Sequence, residues 1–321
     1  MSETATRGPS KFVPNSTRFA AQPDGRSARR RKEGWTRRLP LLPALIYMIV
    51  LTQLPFLATL YYSVRSWNLL TGRNTFAGLD NYAAAFTDPT YRTAVLNTVL
   101  ITSATVLLSM LLGVGLALLI NERFIGRGLV RTLLITPFLI MPTAAALLWK
   151  YTMLDPDQGM VNVLLRTVGI QPVAWLQEYP LTSIVVSGAW QWTPFMMLIV
   201  LAGLQSMPHD VTEAAAVDGA GRLAVFRHLT VPHLKPFVQL GVLLGAINVV
   251  STFDGIFMMT QGGPGTATTN LPYYLYQQAF QSFEIGRAAA LGVVTVIGTI
   301  IVAQAALRLL SGLLAGPEVR S

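Results

Sequence analysis

The chain has 321 residues, of which 52% are hydrophobic and only 12% charged, and its net charge is +9. Its mean hydropathy of +0.49 and its apolar runs of about twenty residues, the length that crosses a bilayer as helix, predict an all-α polytopic membrane protein. The chain contains no cysteine, which excludes disulfides, thiolate catalysis and cysteine-ligated metals. Its three histidines, His209, His228 and His233, are too scattered for a metal site, and we interpret them as interfacial polar side chains.

Residues 1–38 form a polar and basic segment that includes Arg29-Arg30-Arg31-Lys32. Because the segment has few apolar residues, we predict a disordered tail. It is not typical of a secretory signal peptide, since the apolar run after it is too long and lacks an obvious cleavage site. Its basic cluster either determines topology, which we favour, or lies on anionic headgroups, which would make membrane lipid a partner.

Six transmembrane helices are predicted within a permeation domain at residues 39–311. Each is an apolar run that can cross the bilayer, and the prolines inside these runs are tolerated in membrane helices, where neighbouring helices satisfy the freed backbone groups. The predicted ranges are Leu41–Val64, Asn97–Ile120, Thr132–Tyr151, Leu181–Met207, Phe237–Met259 and Ile285–Leu310.

Basic residues are concentrated on one side of these spans. Eighteen of the 24 Lys and Arg residues lie before span one, between spans two and three, between spans four and five, or at the C-terminus. The positive-inside rule makes this side cytoplasmic and places both termini there, with residues 312–321 as a short cytoplasmic tail. Outside the tail at 1–38, the residues concerned are Arg123, Arg127, Arg131, Arg222, Arg227, Lys235, Arg308 and Arg320.

The segment 208–235, between spans four and five, has the pattern of a helix, a turn and a second helix. Helix formers from Glu213 are followed by a break at Gly219 and Gly221, and the second helix is predicted to end at Pro232. Glu213 lies near a helix start, where it opposes the positive end of the dipole. The alternative is an ordinary amphipathic hairpin at the membrane surface.

This segment closely resembles the EAA loop of bacterial ABC importer permeases. In this chain Glu213-Ala214-Ala215 is followed after three residues by Gly219, which is the spacing of that loop. Weaker motifs occur in the same order as in that family: Phe76 to Tyr82, Gly159-Met-Val-Asn162 and Gly262-Gly263-Pro264. Together they resemble carbohydrate permeases of the maltose and glycerol-phosphate type, and Gly262 to Arg287 is most similar to polyol permeases.

The resemblance implies the type I ABC importer permease fold in a bacterial cytoplasmic (inner) membrane. It implies a second homologous permease subunit, an ABC ATPase dimer, an extracytoplasmic solute-binding protein and a carbohydrate substrate as partners, and no nucleic acid. The loop would be the cytoplasmic coupling helix. The coupling residues would be Glu213, Ala214, Ala215, Asp218, Gly219, Arg222 and Pro232.

The chain lacks the phosphate-binding motif of an ATPase, since none of its four lysines follows a glycine. No paired carboxylates or nucleophile motif indicate a hydrolytic site either. We therefore expect that the chain is not itself an enzyme and holds no cofactor, and that ATP and Mg²⁺ are used by a separate ATPase subunit.

Polar residues in spans four and five are candidates for the substrate path. Asp254 is the only carboxylate within a predicted span, and a charge at mid-membrane costs roughly 2.5–3.5 kcal/mol. It should therefore face the bundle or a cavity, unless it is exposed at the outer helix end. Aromatic faces with amides and hydroxyls suit a neutral polyhydroxy ligand, although both tryptophans of this region could be interfacial. The candidates are Trp190, Gln191 and Thr193 in span four and Asn248, Ser251, Thr252 and Asp254 in span five. Asn248, Ser251 and Thr252 are spaced i, i+3 and i+4, which places these three on one helix face.

Two other classes of function compete with a permease. An ion-gradient-driven secondary transporter would predict intramembrane charge relays or inverted repeats, whereas the chain has one such carboxylate and no clear repeat. A membrane enzyme or structural subunit is disfavoured because no catalytic constellation is present. The sequence does not fix the sugar, nor whether two copies or two different permeases form the pore, although the family favours a heterodimer.

Overall fold

A computed structural model describes residues 39–122 and 124–314, with the side chains of all of these except Leu39, His209, Ala216 and the residues after Ile301 other than Gln304. The predicted tail at 1–38, Arg123, and most of the predicted C-terminal tail, including Arg320, lie outside the described residues, as does the side chain of Arg308. The chain divides into two units, one ending at Phe56 and the other beginning at Leu57. All contacts discussed below lie within the second unit.

Almost all of the regular structure described is helical. Two short strands, β1 (Arg65–Trp67) and β2 (Asn74–Phe76), form an antiparallel hairpin in which Arg65 is opposite Phe76. A short 3-10 turn, Leu39–Leu41, precedes the first helix. The helices are α1 (Leu42–Ser63), α2 (Asp80–Thr87), α3 (Pro89–Asn121), α4 (Arg127–Leu139), α5 (Pro142–Leu148), α6 (Met160–Thr167), α7 (Trp175–Glu178), α8 (Pro180–Gln205), α9 (His209–Val217), α10 (Arg222–Val225), α11 (Val231–Val250), α12 (Asp254–Met259), α13 (Leu271–Tyr276) and α14 (Ile285–Leu314). Single π-helical turns extend α5, α10 and α13, at Trp149–Met153, Phe226–Thr230 and Gln277–Gln281.

Among the described residues, four helices are long and apolar enough to cross a membrane: α1, α3, α8 and the continuous helix Arg222–Val250. A fifth crossing would combine α4 with Pro142–Met153, which are bent by 99° relative to each other. The apolar stretch Ile285–Ile301 of α14 is shorter. The all-α membrane architecture is therefore confirmed, while the count of six spans stays a prediction.

The predicted fifth span, Phe237–Met259, is wrong at its C-terminal end. The helix ends at Val250, and a break at residues 251–253 precedes the separate helix α12. At the break the Ser251 hydroxyl donates to the carbonyls of Ile247 and Asn248. Such local side-chain bonds compete with helix continuation, which apolarity alone does not reveal.

The predicted third span, Thr132–Tyr151, is interrupted at Ile140 and Met141. Both residues have extended backbone, with ψ of 134° and 132°. Pro142 follows directly, and proline disfavours the helical conformation in the residue before it. The crossing is therefore two helices joined at a sharp bend.

The prediction that Pro232 ends the second helix of the elbow is also wrong. The amide of Val231 donates to the carbonyl of Phe226, five residues earlier, so the chain widens into a π-turn just before the proline. Pro232 then occupies the first turn of α11, where its missing N–H leaves no gap in the bonding. The second elbow helix and the following span are one helix, Arg222–Val250.

The main core is formed where α3, α8 and α11 meet. Met196 and Met197 of α8 are completely buried there. A Cβ at Gly113 of α3 would lie 2.7 Å from the Met196 Cβ, and one at Gly245 of α11 would lie 2.2 Å from the Met196 Cε. The two glycines thus let three membrane helices pack closely around one methionine.

Asn162, from the predicted Gly159-to-Asn162 motif, organises the loop between α5 and α8. Its buried amide nitrogen donates to the carbonyls of Asp155, Pro156 and Val173. Its oxygen accepts from the Val173 amide and from the Trp175 indole. This saturated network gives the motif a structural role, because an unpaired buried amide would be costly.

Asp88, immediately before α3, connects three helices. Its carboxylate caps α3 by accepting from the Thr90 amide, 2.7 Å away. The same carboxylate accepts from the Tyr274 hydroxyl of α13 and from the Arg287 guanidinium of α14. Burial of Asp88 opposes its ionisation, but these bonds and the arginine charge outweigh that effect and lower the pKa of Asp88.

Candidate functional site

A cavity of about 240 Å³ lies among α3, α5, α8 and the junction between α11 and α12. Much of its wall is apolar, with Ile101, Ile184 and Met259 among the contributors, and the rest carries hydroxyls, amides, indoles and one carboxylate. Such a mixture of apolar wall and few convergent polar groups is typical of a small-molecule site. The polar and aromatic lining residues are Thr105, Trp149, Ser187, Gln191, Trp192, Asn248, Ser251, Thr252 and Asp254.

Asp254 begins α12 at the edge of this cavity. Its Oδ1 accepts a hydrogen bond of 2.9 Å from the Thr143 hydroxyl of α5, and the residue is half-buried. A carboxylate in the first helical turn is also favoured by the helix dipole. The side chain is thus held in one orientation while its second oxygen retains capacity to accept a bond.

Thr105 and Trp149, which sequence reasoning missed, bring buried polar atoms to the cavity wall. The Thr105 Oγ1 and the Trp149 Nε1 are buried and have no hydrogen-bond partner among the described residues. A buried donor without a partner is destabilising and calls for an explanation. Both residues line the cavity, although these two atoms are themselves covered by neighbouring protein atoms. Thr105 is one of three threonines in the predicted second span, with Thr98 and Thr102, so nothing in the sequence singles it out.

Five of the seven predicted substrate-path residues line this one cavity, and two do not. Helix α11 ends at Val250, so Ser251 and Thr252 do not share a helix face with Asn248 as predicted, yet the break still directs them to the same cavity. The five are Gln191, Asn248, Ser251, Thr252 and Asp254.

Trp190 and Thr193 lie away from the cavity lining, and Trp192 occupies the wall instead. The Trp190 ring packs edge-on against Trp149 at 5.9 Å, and the Thr193 hydroxyl is buried and donates to the Ala189 carbonyl. Successive side chains of a helix point in directions about 100° apart, so the four consecutive residues 190–193 of α8 cannot all face one cavity. Gln191 uses its amide to donate to the Ile140 carbonyl at the bend between α4 and α5.

The break beside Asp254 is fixed by a residue distant in sequence. The Asn270 amide donates to the Thr252 carbonyl at 2.7 Å, and its oxygen accepts from the Tyr273 amide to cap α13. Asn270 is 2% exposed. The loop that follows α12, which contains the predicted Gly-Gly-Pro turn, therefore supports the cavity wall.

The elbow consists of α9, a turn and α10. Gly219 has φ of +77°, and the amides of Asp218 and Ala220 donate to the carbonyls of Ala214 and Ala215, which closes the end of α9. This is the left-handed conformation that glycine adopts most readily at a helix end. The predicted break at Gly219 thus has a specific conformational cause.

Most of the elbow surface is exposed. Glu213, Ala214, Asp218, Gly219 and Arg222 are exposed, while Ala215 is half-buried. Two large apolar side chains share this surface, Val217 at 88% and Leu223 at 77% exposure. Pro232, the remaining predicted coupling residue, lies exposed near the start of α11.

The two ends of the elbow are tied together by His233. Its Nε2 lies 3.1 Å from the Gly203 carbonyl of α8 and 3.1 Å from the Ser206 hydroxyl. The end of the helix before the elbow is therefore bonded to the start of the helix after it. Sequence reasoning treated His233 only as an interfacial polar residue.

A membrane chain with an exposed two-helix elbow and a cavity that carries several polar groups has the features of a transport protein, and comparison with known proteins agrees. The family model for binding-protein-dependent transport system inner membrane components matches residues 109–313. The chain belongs to this family. It is thus an ABC transporter permease with several membrane-spanning helices.

Individual relatives support this assignment over most of the chain. A probable ABC transporter permease of Sinorhizobium fredii is 39% identical over 80% of this permease and 84% of the relative. The sulfoquinovosyl glycerol transport system permease of Agrobacterium fabrum is 36% identical, with the same two coverages. The trehalose/maltose transport system permease of Thermococcus litoralis is 32% identical over 84% of this permease and 90% of the relative.

A solved structure shares the fold. A chain of a bacterial ABC transporter involved in the import of the acidic polysaccharide alginate superposes with a TM-score of 0.76, over 89% of this permease and 98% of that chain. The two are 23% identical in sequence. The type I importer permease fold expected from the EAA-like segment is therefore confirmed.

Proposed function

We propose that this permease is the transmembrane subunit of an ATP-driven importer that moves a carbohydrate into the cytoplasm by alternating access. Two of its relatives are named as permeases for sugar-containing solutes, trehalose/maltose and sulfoquinovosyl glycerol. The solute would pass through the cavity beside Asp254. ATP and Mg²⁺ would be bound and used by a separate ATPase subunit.

The observation that carries this proposal is the continuity of the helix Arg222–Val250. Its first residue belongs to the elbow, and Asn248 near its other end lines the cavity. At 1.5 Å per residue its 29 residues span about 43 Å. A displacement of the elbow is therefore transmitted to the cavity wall by one stiff element. The bond from His233 to Gly203 would carry the same displacement into α8.

Orientation follows from the positive-inside rule, which puts the elbow with Arg222, Arg227 and Lys235 in the cytoplasm. The partner that docks there would be the ABC ATPase dimer, with Glu213 and the exposed Val217 and Leu223 among the contacts. A second permease subunit would complete the pore. A solute-binding protein would deliver the carbohydrate from outside, as in the alginate transporter solved with a substrate-loaded periplasmic protein.

The cavity chemistry suits a polyhydroxy ligand. The face of Trp192 can stack on sugar C–H groups. Gln191 and Asn248 each use one amide N–H within the protein and retain a second N–H and an oxygen, while Thr252 offers a hydroxyl. The proton of Ser251 is bonded to backbone carbonyls, so its oxygen is left to accept.

The test is uptake by the complete transporter in liposomes. The permease is reconstituted with its partner permease and ATPase, and radiolabelled trehalose, maltose and sorbitol are offered with the binding protein. We expect accumulation that requires internal ATP and survives ionophores. Uptake driven by an ion gradient without ATP, or no uptake of any carbohydrate by an active complex, would contradict the proposal.

A further inference from the structure

We infer that the cavity selects neutral polyhydroxy solutes over anionic ones, and that Asp254 is the residue that sets this charge preference. The inference rests on the proposed function, since it concerns the solute that occupies the same cavity. It goes further by assigning one residue to one property of that solute. The fold alone does not determine this property, because the solved transporter of the same fold imports an acidic polysaccharide.

The charge of the cavity wall disfavours anionic solutes. Asp254 is the one ionisable side chain that lines the cavity, and no lysine, arginine or histidine of the described residues accompanies it there. Lys150 directly follows the lining residue Trp149 in the chain but does not line the cavity itself. Its ammonium donates to the Met258 carbonyl at 3.1 Å and lies 5.4 Å from the centroid of the Tyr151 ring. An anionic solute would therefore meet a negative group with no cation in the lining to offset it.

The free hydrogen-bonding capacity of Asp254 favours solutes that can donate. An ionised carboxylate accepts bonds and donates none, and Thr143 occupies only one of the acceptor sites of Asp254. A sugar hydroxyl can donate to the remaining sites, whereas a uronate, sulfonate or phosphate group is itself an acceptor. Replacing a hydroxyl by such a group would exchange an attraction for a repulsion at this position.

Two residues of the cavity wall, Thr105 and Trp149, carry donors without partners. The Thr105 hydroxyl and the Trp149 indole require an acceptor, and the oxygen of a hydroxyl supplies one without bringing a charge. A neutral polyol can therefore donate to Asp254 without bringing a negative charge to the wall that contains Thr105 and Trp149. The low dielectric of a partly buried site enlarges the difference between neutral and charged ligands relative to water.

Direct binding to the purified complex tests the inference. The complex is placed in nanodiscs without its binding protein, so that the selectivity of that protein does not intervene. Saturation-transfer NMR measures Kd for two matched pairs, sorbitol with gluconate and maltitol with maltobionate, which differ by one carboxylate. We expect the neutral member to bind at least about tenfold more tightly in the wild type.

Variants separate charge from shape. Asp254→Asn keeps the size and the acceptor for Thr143 and should reduce the preference to below about threefold, mainly by improving binding of the acids. Asp254→Glu keeps the charge and should keep the preference. Thr105→Val should weaken both members of a pair alike. Asp155→Asn, a carboxylate engaged with its own loop amides away from the cavity, is the matched control and should change nothing.

Each outcome decides between the two levels of the account. Equal binding of neutral and acidic probes in the wild type, or an unchanged preference in Asp254→Asn, overturns the charge selection while the proposed transport stands. Failure of the neutral probes to bind, together with absence of carbohydrate uptake by the complete transporter, overturns the proposed function and the inference with it.

Discussion

Phe237 packs directly against Gly203, so that a methyl group added at residue 203 would lie 2.6 Å from the Phe237 Cγ. One turn earlier, His233 bonds to the Gly203 carbonyl. Both contacts hold the end of α8 against the start of α11, on the two sides of the elbow. The elbow is thus attached to the membrane helices at a close-packed point, which suits the coupling role proposed for it.

The close approach at Gly203 predicts an asymmetry between two glycines. Gly203→Ala should destabilise the protein by about 1–3 kcal/mol, because overpacking forces side chains or backbone to shift. Gly115→Ala, on an exposed helical position of α3 with nothing within 4 Å of the added Cβ, should be neutral or stabilise by up to about 1 kcal/mol. Thermal unfolding of the purified complex measures both. Equal shifts in the two variants would contradict the close packing.

The turn conformation predicts different effects of alanine at the two elbow glycines. Gly219→Ala forces a side chain into the left-handed region, at a cost of roughly 1–2 kcal/mol, and should weaken coupling. Gly221, with φ of −66° and open space around it, should accept alanine. The readout is the stimulation of ATP hydrolysis by loaded binding protein. Wild-type stimulation in Gly219→Ala would remove the support for a rigid turn.

The bond from His233 predicts a separation of ATP hydrolysis from transport. His233→Leu removes the tie between α8 and α11, so uptake should fall severalfold while basal hydrolysis persists. His228→Leu is the control, since the His228 ring bonds only to the Ala224 carbonyl of its own helical turn among the contacts described. Uptake and hydrolysis are measured on the same proteoliposomes. A proportional loss of both activities in His233→Leu would indicate a role other than coupling.

Asp88 predicts a dependence of stability on acid pH. Because its pKa is lowered in the folded protein, its contribution is present above the ordinary carboxyl pKa of about 4 and is lost as pH falls through the lower folded value. Asp88→Asn should therefore be less stable at neutral pH and should lose less stability on acidification. The melting temperature against pH checks this, with the exposed Asp157→Asn as control. An identical pH profile in wild type and Asp88→Asn would refute the assignment.

The sequence predicted the membrane class and the family. Two helices do meet at Gly219, and five candidate residues line one cavity, while the coupling and substrate roles of these residues stay predictions. These features depend on local patterns, namely long apolar runs, glycines at a turn, and a rare carboxylate in a span. The break after Val250 and the π-turn before Pro232 were missed, because the first involves local bonds of the Ser251 hydroxyl and the second a backbone bond, neither of which hydropathy records.

Contacts between residues far apart in the chain also could not be predicted from the sequence. Asn270 supports the Thr252 carbonyl and Asn97 donates to the carbonyls of Thr266 and Thr269, across long stretches of chain. Trp190 was predicted to line the cavity, whereas Trp192 lines it in the structure. Which of the two faces the cavity depends on the rotation of α8 about its axis, and tertiary packing fixes that rotation. Thr105 and Trp149 acquire meaning only when burial shows that their polar atoms lack partners.

The most direct test of the account asks whether the cavity opens in response to nucleotide. The absence of native cysteines in this chain allows Ser251→Cys to report from the cavity wall, with cysteine-free partner subunits. A membrane-impermeant thiol reagent is applied from the outer side, and Leu70→Cys on the exposed hairpin connection serves as control. We predict that labelling of Ser251→Cys accelerates severalfold when ATP and vanadate trap the ATPase, slows again when maltitol is added, and stays constant for Leu70→Cys. Labelling of Ser251→Cys at one rate with and without nucleotide would contradict the claim that the elbow drives this cavity.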